Sequence, residues 1–279
     1  MKKRLLSLLC AGLFLLPLTG CWEEEPDDTG GALVPEELLE DSIQEEEPEV
    51  LLPLSFSLPY SADQTLDPVT CADGMQQVVG ALLYEGLFQL DTQMEPQPRL
   101  CESYTYDPET FTYVFTLRTG VLFSDGTALT ASTVAATLQR AKSSQRYGTR
   151  LSQMVSATAG DGFVTVVLNG ANTGFPSLLD IPIVKAGTAG DLVPIGTGPY
   201  YFAQDENGPC LLANENWWNG GGQPVERIGL STAVDRESML YQFTSHDVQL
   251  ITADLTGASP IGATGNVIFQ DADTTVLQC

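Results

Sequence analysis

The sequence predicts an α/β fold of mixed α+β character, and three stretches carry that prediction. In "FTYVFTLR", Phe111, Tyr113, Phe115 and Leu117 alternate with Thr112, Val114, Thr116 and Arg118, the period of a β-strand. In "MQQVVGALLYEGL", Met75, Val78, Val79, Leu82 and Leu83 recur at helical spacing, with Gly86 where a C-terminal cap would stand. Toward the end, "VERIGLST", "DRESMLYQFTS" and "DVQLITAD" read as strand, helix, strand, a right-handed βαβ unit with parallel strands. Ligands of such open sheets sit beyond the carboxyl ends of the strands, which places Thr252 to Leu255 near a potential cleft.

The chain opens on a leader. Lys2, Lys3 and Arg4 precede an apolar run from Leu5 to Leu18, which is too short to span a bilayer comfortably and reads as a signal peptide over residues 1–20. It closes on "LTGC", residues 18 to 21. The order aliphatic, small, Gly, Cys resembles the lipobox of bacterial lipoproteins, which implies lipidation of Cys21 and a position outside the cytoplasm on a membrane. Residues 21–50 then hold 13 of the chain's 36 acids and no Lys or Arg. Such a block cannot bury enough apolar surface to offset chain entropy, so it is expected to be a disordered, self-repelling tether. Residues 51–279 remain acidic, with 23 acids against nine bases. Nucleic acid is not an expected partner, because phosphate binding needs a basic footprint.

This C-terminal stretch is long enough for one large domain or two lobes. Cys71, Cys101, Cys210 and Cys279 remain there, with no spacing that forms a metal clip; disulfides and buried free thiols are both open. The stretch 51–59 is a first strand, and "LDPVTCADG" is a loop. "YDPETF" turns into the alternating strand as a hairpin. In "LFSDGTALTASTVAATLQRAK", Gly126 takes a turn and Thr130 caps a helix. That helix faces the core through Val134, Leu138 and Ala141, while Arg140 and Lys142 complement the C-terminal end of its dipole. "DGFVTVVLNG" (161–170) is one arm of a second hairpin, and two more strand candidates flank the glycine-rich turns from Pro194 to Thr232.

Chemistry is scarce. The single histidine, His246, stands in a helix-to-strand turn and reads as an exposed polar residue. Asp125 beside a turn glycine reads as scaffold, and "NGGGQP" lacks the lysine and the strand-helix context of a phosphate loop. No catalytic residue, cofactor or metal site is expected. Trp217 and Trp218, taken as strand neighbours, would point to opposite faces, so at most one would meet a cleft, and core packing is the favoured reading. Tyr147 in "SSQRYGTR" stands in a loop, where binding side chains are usually carried.

Five motifs occur in order over residues 65 to 142, with a sixth further on: Leu66-Asp67-Pro68, Tyr84-Glu85-Gly86-Leu87, "PQPRLCES", "TFTYVFTLR", Phe123-Ser124-Asp125-Gly126 and Gly196-Thr197-Gly198-Pro199-Tyr200. Together they resemble the family 5 extracellular solute-binding proteins, the oligopeptide and dipeptide receptors of ABC importers. Cys101 in place of Ala, Thr133 in place of Asp, and "SHDVQL" in place of a Gly-Glu-Xaa-Asp ending depart from the family pattern. The resemblance implies a class II periplasmic-binding-protein-like fold, present as a first lobe with a subdomain inserted at about 75–175, and a second lobe largely missing from a truncated chain. It implies that backbone groups of Cys71, Ala72 and Asp73 meet an extended peptide and that Tyr147 borders the pocket. The expected partners are a peptide or other small solute, ABC permease subunits, and the membrane through the lipid on Cys21; a monomer is expected. The rival readings are a non-transporting surface lipoprotein that acts as an interaction module and, third, an extracellular hydrolase.

Overall fold

The computed structural model describes residues 56–220 and 222–251. The leader, the tether, Cys21, Cys279 and Thr252 to Leu255 lie outside them. Along the chain come β1 (Phe56–Tyr60), α1 (Gly74–Leu83), β2 (Phe88–Leu90), β3 (Pro96–Pro98), β4 (Cys101–Asp107), β5 (Thr112–Leu117) and α2 (Ala131–Lys142). Next are β6 (Met154–Ala159), β7 (Phe163–Leu168), a 3-10 turn (Phe175–Leu178), β8 (Tyr200–Asp205), β9 (Gly208–Ala213), β10 (Arg227–Thr232) and α3 (Arg236–Thr244).

Two apolar cores organise these elements. A four-stranded mixed sheet, in the order β1-β10-β9-β8, packs against α1. Its core contains Leu58, Val79, Leu83, Tyr84, Leu211 and Ile228. The second sheet, in the order β4-β5-β7-β6, is antiparallel throughout. Helix α2 covers it through Val134, Leu138 and Ala141, each 0% exposed. Full burial of each of the two larger side chains contributes about 1.5–3 kcal/mol, so the helix is held chiefly by this face. Strands β2 and β3 form a small separate pair.

The hairpin expected at Asp107 forms between β4 and β5, with the Asp107 carboxylate accepting from the Glu109 amide at 2.9 Å and the Thr110 hydroxyl at 2.7 Å. Thr130 caps α2 by accepting from the Thr133 amide at 3.3 Å, as its sequence position predicts. β7 is the arm of a hairpin with β6, a strand not anticipated in "MVSATA".

Three expectations need correction. Helix α1 ends at Leu83, not at a Gly86 cap: Tyr84 is extended, and its amide closes the helix on the Gly80 carbonyl at 3.0 Å. The next residues are drawn into extended pairing, with Ile183 donating to the Glu85 carbonyl. Gly86 is required for close approach, because a Cβ there would stand 2.7 Å from the Asp180 carbonyl carbon. Second, residues 247–251 are not a strand; the parallel partner of β10 is β1, at the other end of the described chain. Third, Trp217 and Trp218 lie on a turn after β9, so strand alternation does not govern them. Cys71, Cys101 and Cys210 are buried free thiols, and burial pushes Cys101 up to about 12.

Candidate functional site

The loop between β1 and α1 is held at both ends by aspartates. Asp67 is 0% exposed, a costly place for a charge unless every lone pair is used. Its Oδ1 accepts from the Val69 amide at 3.0 Å and Arg140 Nη1 at 2.9 Å. Its Oδ2 accepts from Arg140 Nη2 and, at 3.1 Å, from the Gly190 amide. Burial alone would raise the Asp67 carboxyl, but the Arg140 guanidinium and the two amides outweigh it and hold it below the usual carboxylate range. Through its carbonyl Asp67 also receives the Thr70 amide at 3.1 Å and the Cys71 amide at 2.7 Å, which makes the turn from which residues 71 to 73 emerge. At the other end the Asp73 carboxylate caps α1, accepting from the Gln76 amide at 2.9 Å.

The structure therefore divides the residues expected to meet ligand. Cys71 is buried, and its carbonyl accepts a hydrogen bond from Arg146 Nη1. Ala72 is exposed and Asp73 half-buried; the Ala72 N–H and C=O and the Asp73 N–H have no partner among the described residues. Tyr147 is 7% exposed and belongs to the core beneath the second sheet, where burial pushes its phenol up. Loop and tyrosine are brought together nonetheless, because the residue that reaches Cys71 is Arg146, the neighbour of Tyr147. In the sequence Asp67 was legible as a loop residue of the Leu66-Asp67-Pro68 motif and Arg140 as a dipole partner, and Arg146 did not stand out at all. Nothing in the sequence pairs positions 73 and 75 residues apart.

The other motif residues meet along the seam between the two cores. The Gly198 amide donates to the Leu83 carbonyl at 2.9 Å, Ser124 to Gly196 at 3.0 Å, and Leu100 to Gly86 at 3.3 Å. The Glu85 carboxylate gathers three donors: Trp218 Nε1 at 2.8 Å, Trp217 Nε1 at 3.3 Å and the Thr197 hydroxyl at 3.2 Å. Both indoles thus converge on one carboxylate, and Arg118 stacks over Trp218 at 4.4 Å. Burial pushes the Glu85 carboxyl up, with the indole and hydroxyl donors pulling the other way. Glu85→Ala should cost about 2 kcal/mol or more, since it strands these donors. A shift to lower urea at the unfolding midpoint would register that loss; an unmoved midpoint would show that the seam does not depend on the carboxylate.

Asp125 sits in the turn as scaffold, its carboxylate accepting from the Thr127 hydroxyl and amide and paired with Lys185. The Lys185 and Thr127 donors bring it down to about 2. Beside it lies a cavity of about 300 Å³ lined by Leu83, Ser124, Pro194, Tyr201 and Phe202 among others. None of Cys71, Ala72, Asp73 or Tyr147 lines it. Among the described residues no group of His, Cys, Asp and Glu is arranged to hold a metal ion.

The frame is thus a two-core α/β lobe, with motif residues spent on its seam and a pinned loop whose exposed Ala72 has unpartnered backbone groups among the described residues. The family model for bacterial extracellular solute-binding proteins, family 5 Middle, matches residues 95–277, well over half of the chain, and the chain belongs to that family. Its members are binding proteins, not enzymes. The glutathione-binding protein GsiB of Escherichia coli strain K12 is 33% identical over 149 residues, covering 49% of this chain and 29% of GsiB. The GsiB of Salmonella typhimurium shows the same identity and coverage. This chain thus aligns with under a third of the length of these curated relatives. Among solved structures, NikA from Staphylococcus aureus in complex with Ni(L-His)2 is 23% identical with a TM-score of 0.56, covering 70% of this chain and 42% of NikA. The oligopeptide-binding protein AppA from Bacillus subtilis, in complex with a nonapeptide, is 22% identical with a TM-score of 0.55 over 70% of this chain and 42% of AppA. At these identities the structures establish the fold alone.

Proposed function

We propose that this chain is the substrate-binding component of an ABC importer, capturing peptides or similar small solutes outside the cell and delivering them to a membrane permease. The observation that carries the reading is the pinned loop, in which the N–H and C=O of the exposed Ala72 have no internal partner among the described residues. Backbone groups of this kind pair with an extended peptide whatever its side chains. Family membership supports the same class, and the relatives named for glutathione and crystallised with a nonapeptide both take peptides. Lipid on Cys21 would hold the receptor, as a monomer, at the outer face of the cell membrane beside its permease, in keeping with the leader and the "LTGC" sequence.

The test is thermal unfolding of the full chain against di- and tripeptides, glutathione, nickel-histidine and opines. A solute present at about 100 times its Kd stabilises by about 2.7 kcal/mol. In a protein of this size that raises the melting temperature by about 5 °C or more. A rise with peptides is the expected result; a rise only with the nickel complex or the opine would replace the peptide reading, and none with any solute would overturn it.

A further inference from the structure

We propose that Arg146, braced by Tyr147, is a positioning residue that aims the Ala72 amide at an oxygen acceptor of the solute. The inference rests on the solute-binding reading of the loop. A trans peptide is planar, with its C=O and N–H pointing in opposite directions. The Cys71 carbonyl and the Ala72 N–H belong to one such plane. Arg146 Nη1 holds the carbonyl, so the N–H is turned away from the arginine, at the exposed residue of the loop. The plane on the other side of Cys71 is fixed as well, by the Cys71 amide on the Asp67 carbonyl at 2.7 Å. With the Asp73 cap on α1, the Cys71–Ala72 plane has little freedom left.

Arg146 is itself seated. Its guanidinium carbon lies 5.3 Å from the centre of the Tyr147 ring, and that of Arg150 lies 5.9 Å from it. Arg150 is paired with Asp180 and donates to the Ser177 carbonyl at 3.3 Å. The Tyr147 backbone is held by the Ser144 hydroxyl at 3.0 Å and by the Leu151 amide at 2.9 Å. A buried ring fixed at this point gives the arginine a platform, which is how a tyrosine in the core serves a loop at the surface. The charge has a second effect. A carbonyl that accepts from a guanidinium polarises its peptide and makes the N–H on the same plane a stronger donor. The matching solute group is a carbonyl or carboxylate oxygen, the repeating acceptor of a peptide.

The experiment compares the full chain with Arg146→Met, Arg146→Lys and Arg236→Met, using trialanine as the probe. Arg236 is exposed at the start of α3, and its removal changes net charge equally. Arg146→Met should weaken trialanine about tenfold, the effect of losing a charge-assisted hydrogen bond, with Arg146→Lys within about threefold of the original chain. Arg236→Met should leave the affinity unchanged. In 15N-alanine-labelled protein, the Ala72 amide resonance should move in Arg146→Met while that of Ala135, within α2, stays in place, a signature that general loss of stability would not produce. Equal weakening by Arg146→Met and Arg236→Met would overturn the proposal in favour of long-range charge, and so would an unmoved affinity or an unmoved Ala72 resonance. If the original chain binds no peptide, the functional reading fails and the solute role of Arg146 with it. The Ala72 resonance would then still report, separately, whether Arg146 orients the amide.

Discussion

Arg140→Met should destabilise the fold by about 3 kcal/mol at neutral pH, because it leaves the Asp67 carboxylate buried with two amides and no counter-charge. The lower end of the range for broken buried pairs applies, since the Arg140 side chain is 28% exposed while that of Asp67 is 0%. Removing both charges in Asp67→Leu/Arg140→Met should cost less than the single change, as an apolar pair carries no stranded ion.

The pH dependence gives a second readout. In the native protein the Asp67 carboxyl lies below its unfolded value. Its contribution to stability is therefore fully present above the unfolded value of about 3.9 and is lost as pH falls through the folded one. In Arg140→Met burial acts with less opposition and the folded carboxyl rises, so that protonation relieves the variant. The stability gap between the two proteins, measured by urea unfolding, should narrow from pH 7 toward pH 4. A gap that stays constant over that interval would place the cost in lost packing of the arginine stem instead of in the charge.

Gly198→Ala is the second large effect, expected at about 2–3 kcal/mol. An added Cβ would stand 2.5 Å from the Leu82 carbonyl oxygen and 2.5 Å from the Leu83 carbonyl carbon. Those atoms are the backbone of the last turn of α1, which cannot swing aside as a side-chain tip would. The Gly198 amide is bonded to the same turn at 2.9 Å, and its carbonyl accepts from Asn214 Nδ2 at 2.8 Å, so the glycine cannot retreat either. A matched control is Gly174→Ala, where the added Cβ meets only Asn172 Oδ1 at an ordinary 3.6 Å. It should stay within about 0.5 kcal/mol of the original protein. Thermal melts of the two variants decide the matter: a Gly198→Ala melt as high as that of Gly174→Ala would mean that the seam between the cores is loose.

Much of the fold was legible from local order. Strand β5 showed itself by alternation and α2 by its cap and apolar face, because those signals arise within one element and need no partner. The family was legible for a related reason: its motifs are runs of adjacent residues whose order survives reading along the chain. The boundary of α1 was not, since Tyr84 and Glu85 continue a good helical pattern and leave it only because Ile183 and Gly198 claim the carbonyls of Glu85 and Leu83. The convergence of Trp217 and Trp218 on Glu85 was hidden for the same reason, the two indoles being 132 and 133 positions from the carboxylate.

By itself, then, the sequence determined the mixed α/β class, the elements that carry their own periodicity, and membership in a solute-binding family through contiguous motifs. Only the tertiary structure decided what the motif residues do. It spent Glu85, Gly86 and Gly198 on the seam between two cores, used Asp67 to pin the loop, left the backbone groups of Ala72 without a partner among the described residues, and put Tyr147 inside the protein. The physical reason is that a buried charge, a close backbone approach and the direction of a peptide plane are settled by partners distant in sequence, and distance along the chain carries no record of them.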